Sequence, residues 1–401
     1  MEMKPLKDGD SDLDLEEAKV PPPPSTPEPI DQQKQLMAFV SLVVIQGSNI
    51  LFFKLSGTGG KYRYNTASAI AITEFVKLLM SITFMYREKA AGKSGSLSIP
   101  QSLVFGYFVL AVIYCVNNQL TFWLLSTLGA GQLQMGKSVA PMLTAGLLWV
   151  FYDEQMNKAQ WACLIIFVCG LIGVMGGGSP ISTFFSSLGN PTVAMLMIAC
   201  NLTAFSSVYN SKMLQQDKSL SVHAQNATLY FFGFILSLFA YTVGFTPSDP
   251  DLSFFGGMDN FNVIMVLFSQ AFIGLAISFV YKYGGAIVKT LAAGVQAAIL
   301  SVIDTVFFGL PSTFGSVAGT VTVLATSYLY FSVALKLPND DQKGTSSIPT
   351  KLRVYAYLFL LGSYLGYVGL ARMTTSEGFE TVSGTRRRLL EFPAANFDPL
   401  L

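Results

Sequence analysis

The chain has 401 residues, 51% of them hydrophobic and only 12% charged, with a mean hydropathy of +0.49 and a formal net charge of +1. Soluble domains carry about a quarter charged residues, so this balance reads as a polytopic membrane protein. A near-neutral chain also lacks the basic footprint that nucleic-acid binding needs.

The first stretch, "MEMKPLKDGDSDLDLEEAKVPPPPSTPEPI", is acidic and then proline-rich. It lacks the pattern of a signal peptide, and residues 1–34 read as a disordered cytosolic tail. A span needs about 20 apolar residues, because a helix rises ~1.5 Å per residue through ~30 Å of hydrocarbon. Segments that meet this fall at 35–54, 65–86, 101–125, 129–151, 158–177, 190–212, 224–245, 260–282, 284–309 and 313–335. The expectation is an all-α membrane protein with ten transmembrane helices, a core over 35–335 and a cytosolic tail over 336–401.

Basic residues in the loops set the orientation. With the N-terminus cytosolic, Arg87, Lys89, Lys93, Lys158, Lys212, Lys218 and Lys282 lie on the cytosolic side. Only Lys54, Lys61 and Arg63 lie opposite, so the positive-inside rule places both ends of the core in the cytosol. A further apolar run, 354–371, holds Gly362 and Gly366 in GxxxG spacing. A spanning helix there would carry the arginines at 386–388 to the lumen, so an interfacial or loosely docked helix is the preferred reading.

Ten spans divide into two halves, 35–177 and 190–335. The fourth and ninth spans share a plan: "GAGQLQMGK" and "GGAIVK" both open on glycine and place a lysine in the first half. Transporters commonly build a midplane site from such halves, related as inverted repeats.

Counting from the segment starts puts Lys137 ~12 Å and Lys289 ~8 Å deep. A lysine near a helix centre costs on the order of 3 kcal/mol by insertion scales, so such groups face water or a counter-charge. The counter-charge arrives with a substrate, or the lysines snorkel, or they pair with Glu74 or Asp304. Glu74 and Lys77 stand at i, i+3, the spacing of an internal ion pair. Asp304 is open to three roles: cavity partner, coupling-proton site or structural acceptor. Asn117, Asn118, Gln132, Gln134, Asn226 and Gln296 are amides at span positions, able to read a base or sugar or to join helices. Tyr209 and Tyr230 are candidates for stacking on a base.

The four cysteines lie inside apolar stretches, as small hydrophobes, and the one histidine is His223. Neither a metal site nor a cofactor is expected. No loop pairs acids with a histidine, which argues against an enzyme.

Several stretches, taken together, resemble the nucleotide-sugar transporters, in the branch that carries CMP-sialic acid, UDP-galactose and UDP-N-acetylglucosamine. They are "NTASAIAITEFVKLLMS", "AVIYCVNNQLTFWLLSTLGAGQ", "KAQWACLIIFVCGLIGV", "KYGGAIVKTLAAGVQAAILS" and "FGLPSTFGSVAGTVTVLATSYLYF". The resemblance implies ten helices in two inverted five-helix repeats. It also implies antiport of cytosolic pyrimidine nucleotide sugar for lumenal nucleoside monophosphate, in the Golgi membrane or, second, the ER membrane. By position it implies nucleotide contacts from Asn118, Asn226, Tyr230, Thr203 and Ser278, and phosphate contact from Lys289. Asn117 and Lys137 join these as candidates from their place in the spans.

In two places the chain departs from the family pattern. Ala140 stands where the family's fourth-span lysine falls, with Lys137 three residues earlier, and Gly285-Ala286 replaces an Asp-Asn pair. "KSVAP" also resembles the triose-phosphate translocators of plastids, which makes a sugar-phosphate or organic-anion carrier the alternative. A non-transporting membrane scaffold is the alternative of another class. The base, the sugar and whether a homodimer forms are left open by the residues.

Overall fold

The computed structural model describes residues 32–56, 64–92, 96–128, 133, 136–175, 191–217, 219–245, 253–309, 312–337 and 349–374. The tail before Gln32, Gln132, Gln134, and the arginines at 386–388 lie outside the described residues. The described elements are helices: α1 (Gln32–Ser56), α2 (Thr66–Ala90), α3 (Gln101–Leu128), α4 (Ala140–Tyr152), α5 (Lys158–Met175) and α6 (Pro191–Gln216). They continue with α7 (Val222–Thr242), α8 (Phe261–Tyr283), α9 (Gly285–Phe308), α10 (Phe314–Leu329) and α11 (Thr350–Thr374). A π-helical turn, Tyr330–Ala334, prolongs α10.

Short polar side chains start several of these helices by taking up the free N–H groups of the first turn. The Asn65 side chain accepts from Ala67 and Ser68 N–H, Ser221 from His223, Asn260 from Asn262 and Thr313 from Ser316. In "NKAQ", Asn157 Oδ1 accepts from Gln160 N–H at 2.7 Å while Gln160 Oε1 accepts from Asn157 N–H at 3.0 Å. That is a reciprocal capping box.

Six described helices are long and apolar enough to cross a membrane: Thr66–Ala90, Gln101–Leu124, Pro191–Gln216, Phe261–Tyr283, Gly285–Val306 and Phe314–Ala334. The segments Gln35–Asn49, Ala140–Tyr152 and Lys158–Val174 are shorter apolar helices. The expected span 224–245 corresponds to α7, which is not among them; His223, Gln225 and Asn226 make its first turns polar.

Between apolar helices in lipid there is little hydrophobic drive, so close packing and small residues decide which faces meet. The α2 helix lies along α7, α5 along α10, α1 along α8 and α9, and α3 along α6 and α7. The α4 helix touches α5, α6 and α9, while α8 reaches α2 and α6. Along α5 and α10 the backbones nearly touch: a Cβ on Gly319 would stand 2.5 Å from the Gly170 carbonyl oxygen and 2.6 Å from Val174 N.

The 354–371 segment forms α11, and it is anchored rather than loosely docked. It packs on α4 and α6. Arg353, 4% exposed, donates to the Trp149 carbonyl at 2.7 Å and lies over the Trp149 ring. Tyr357 OH donates to Asn201 Oδ1 at 2.6 Å.

Candidate functional site

The expected fourth span, 129–151, is broken in the structure. Gly136 and Lys137 are helical, Ser138 and Val139 form a turn, and α4 begins at Ala140. Pro141 explains the start: it lacks the N–H that would continue the ladder to the Lys137 carbonyl, so it fits a helix's first turn and not its interior. Lys137 therefore sits on the turn leading into α4, not partway along a continuous helix. This turn is held against α6, where a Cβ on Gly136 would displace the Leu196 side chain, and Cys200 Sγ donates to the Gly136 carbonyl at 3.5 Å.

Lys289 lies one turn into α9. The α8 and α9 helices join directly through Gly284 and Gly285, and Gly285 takes φ +81°, a left-handed conformation that favours glycine. The two ammonium groups come within electrostatic reach of each other.

Among the described residues, the acid–base pairs are Glu74–Lys77, Glu154–Lys212, Glu88–His223 and Asp153–Arg353. None involves Lys137 or Lys289. Asp304 is 15 residues beyond Lys289 on the same helix, about 22 Å away by helix rise. It therefore does not neutralise that lysine. Glu74 is likewise engaged elsewhere, 2.7 Å from Lys77. Two like charges in a low-dielectric interior repel and lack solvation, an arrangement that favours a bound anion.

A second polar layer lies between α2, α3, α6, α7 and α8. Lys77 Nζ stands over the Tyr230 ring at 5.2 Å, and the Ser278 hydroxyl neighbours that of Tyr230. Asn117 donates to Thr203 Oγ1 at 3.0 Å, joining α3 to α6. Asn226 is buried one turn before Tyr230, and Asn118 is partly buried beside Asn117. The structure thus brings together Lys137 with Lys289, Asn117 with Thr203, and Tyr230 with Ser278. It leaves Asp304 apart, and Tyr209 stacks on Phe205 with ring centroids 5.9 Å apart.

Other residues in this layer carried no signal of their own in the sequence. Tyr107 OH donates to Gln225 Oε1 at 2.5 Å, Asn210 to Tyr114 OH at 3.1 Å, and Tyr281 OH to Ser207 Oγ at 3.0 Å. Asn117 Oδ1, Asn210 Oδ1, Gln225 Nε2 and Asn226 Nδ2 are buried without a hydrogen-bond partner. Each such atom costs about 1–3 kcal/mol, and four in one region is the pattern of a place where a polar guest completes the bonding. Among the described residues, no group of three or more His, Cys, Asp or Glu is placed to hold a metal.

A family profile described as nucleotide-sugar transporter matches residues 31–331. The chain belongs to the nucleotide-sugar transporter family. It is a multi-pass membrane transporter by family and not an enzyme. This transporter is 25% identical to CMP-sialic acid transporter 2 of Oryza sativa subsp. indica, over 73% of its own length and 82% of that protein's. It is 23% identical to CMP-sialic acid transporter 4 of Arabidopsis thaliana (77% and 88% covered). It is 24% identical to a probable UDP-sugar transporter of Xenopus tropicalis (74% and 92% covered). A solved crystal structure, 14% identical, overlays 76% of the transporter and 100% of its own chain with a TM-score of 0.56, a likeness of fold.

Proposed function

We propose that this transporter exchanges a cytosolic pyrimidine nucleotide sugar, UDP- or CMP-linked, for a lumenal nucleoside monophosphate across the Golgi membrane. The carrying observation is the pair Lys137 and Lys289, near each other within the bundle with no carboxylate partner among the described residues. In this reading they clamp the phosphates. Asn117, Asn118, Thr203, Asn226, Tyr230 and Ser278 surround the nucleoside and sugar. Glu74 and Lys77 form a supporting pair, and Asp304 lies outside the binding layer. Relatives named for CMP-sialic acid and UDP-sugars support the pyrimidine class.

The reading includes ten spans as two inverted repeats, 35–177 and 190–335, with both ends of the core cytosolic. Helix pairing supports it. Exchanging each of α1–α5 with the helix five places later turns α1–α8 into α6–α3, α3–α7 into α8–α2, and α4–α6 into α9–α1, all of which are observed pairs. Repeats of five helices, an odd number, insert with opposite orientation and can rock about a site between them. An empty site with two cations reorients at a cost, which favours exchange over one-way transport.

Purified protein in liposomes should exchange labelled UDP- or CMP-sugar for internal UMP or CMP. Lys289→Ala should abolish exchange and Lys289→Arg should keep part of it. Wild-type exchange in both Lys289→Ala and Lys137→Ala would exclude the clamp, and competition by triose phosphate but not by UMP or CMP would exclude the substrate class.

A further inference from the structure

A pocket of about 510 Å³ lies between α1, α2, α7 and α8, and its lining shares no residue with the polar layer above. Its size is that of a small-molecule site. Its walls are apolar, with Met37, Ser41, Phe84, Ala276 and Phe279 among them, and His223 is its buried polar group. Met37 is 63% exposed, so the pocket opens on the outer surface of the bundle, which in a membrane protein faces lipid.

Two features show that the pocket has a polar end. His223 is 7% exposed, and its Nδ1 has no hydrogen-bond partner. Its Nε2 faces Glu88 Oε1 at 3.7 Å, and Glu88 also accepts from Ser221 Oγ at 2.6 Å. Beyond the two phenylalanines stand cations: Arg87 follows Phe84, and Lys282 follows Phe279, each at i+3 on the same helix face. Arg87 and Lys89 close the last turn of α2, and Lys282 the last turn of α8. Lys282 donates to the Leu220 carbonyl at 3.1 Å and has Glu88 and Asp217 as neighbouring carboxylates, so its charge is shared with them. All these residues lie where helices start or end, at the depth of lipid head groups. Clustered cations at such a helix edge recognise anionic head groups.

We propose that the pocket holds one acyl chain of an anionic phospholipid, whose phosphate-bearing head group rests against Arg87, Lys282 and His223. The chain fills the apolar cavity from the side, and the head group supplies the partner that His223 Nδ1 lacks. A neutral lipid would satisfy the cavity but not the cations, and a free head group the cations but not the cavity.

The full chain is purified in detergent and its thermal unfolding followed with added phosphatidylserine, phosphatidylcholine, cholesterol or glycerophosphoserine. Phosphatidylserine should raise the midpoint by several degrees, phosphatidylcholine and cholesterol by less than half as much, and glycerophosphoserine not at all. Ser41→Trp, which blocks the cavity from an exposed position on α1, should remove the phosphatidylserine effect, as should Ala276→Phe. Arg87→Gln should narrow the gap between the two phospholipids. Equal stabilisation by phosphatidylcholine or cholesterol, or an undiminished response in Ser41→Trp, would overturn the proposal.

Discussion

Arg353, at the start of α11, places Nη1 2.5 Å from Asp153 Oδ1 and 2.7 Å from the Trp149 carbonyl, so one guanidinium holds the last turn of α4 from 200 residues away. Asp153 is the C-cap of α4 and takes φ 56°, a left-handed conformation that aspartate tolerates better than branched residues. The α11 helix lies beyond the residues matched by the family profile.

Arg353→Ala should therefore cost on the order of 2–3 kcal/mol, the scale for hydrogen bonds to a charged group. It should also leave α11 open to proteolysis. The readouts are thermal unfolding in detergent and limited digestion. Arg353→Lys should recover less than half, because an ammonium lacks the planar fork whose one nitrogen reaches Asp153 and Trp149 while the other reaches Thr350 Oγ1. Unchanged digestion of Arg353→Ala would show that other contacts hold α11.

The α5–α10 seam predicts a contrast between two glycines on one helix. Gly319→Ala puts a methyl group 2.5 Å from the Gly170 carbonyl, where backbone must move. It should destabilise by about 1–3 kcal/mol or more. Gly315→Ala meets nothing nearer than 3.7 Å and should be tolerated within about 0.5 kcal/mol. Thermal unfolding of the two variants side by side checks this.

Asn157 both caps α5 and donates to the carbonyls of Ala334, at the end of the π-helical turn, and Leu337, just past it, at 2.8 and 3.1 Å. Asn157→Ala should lose the cap, worth about 0.5–2 kcal/mol, and strand those carbonyls as well. Asn157→Asp keeps the capping oxygen but not the donor, so it should fall between wild type and Asn157→Ala in unfolding midpoint.

Glu74 and Lys77 form a short-range pair inside the bundle, with Glu74 facing Gly233 and Lys77 facing Gly274. Removing one charge strands the other, so Glu74→Gln should cost about 3 kcal/mol or more. The double variant Glu74→Gln/Lys77→Met should regain most of that loss. If it also regains exchange, Lys77 supports the fold; if exchange stays lost while stability returns, Lys77 takes part in ligand binding.

What the residues determined alone is local. Apolar stretches of span length, side-chain caps such as Asn65 and Asn157, and the ordered family motifs depend on near neighbours in the chain, so the helices and the family could be read directly. The exceptions also had local causes: Pro141 breaks the fourth span, and the polar first turns of α7 lower its apolar character. Tertiary structure alone decided which polar groups meet. Asn117 and Thr203 are 86 residues apart, and Arg353 and Asp153 200, yet both pairs touch. Helix periodicity sets the face on which a residue lies, but its partner depends on how small residues let distant helices approach. Sequence could therefore nominate Lys137 and Lys289, whereas only packing of α4, α6 and α9 brings the two charges within electrostatic reach of each other, with no carboxylate paired to either among the described residues.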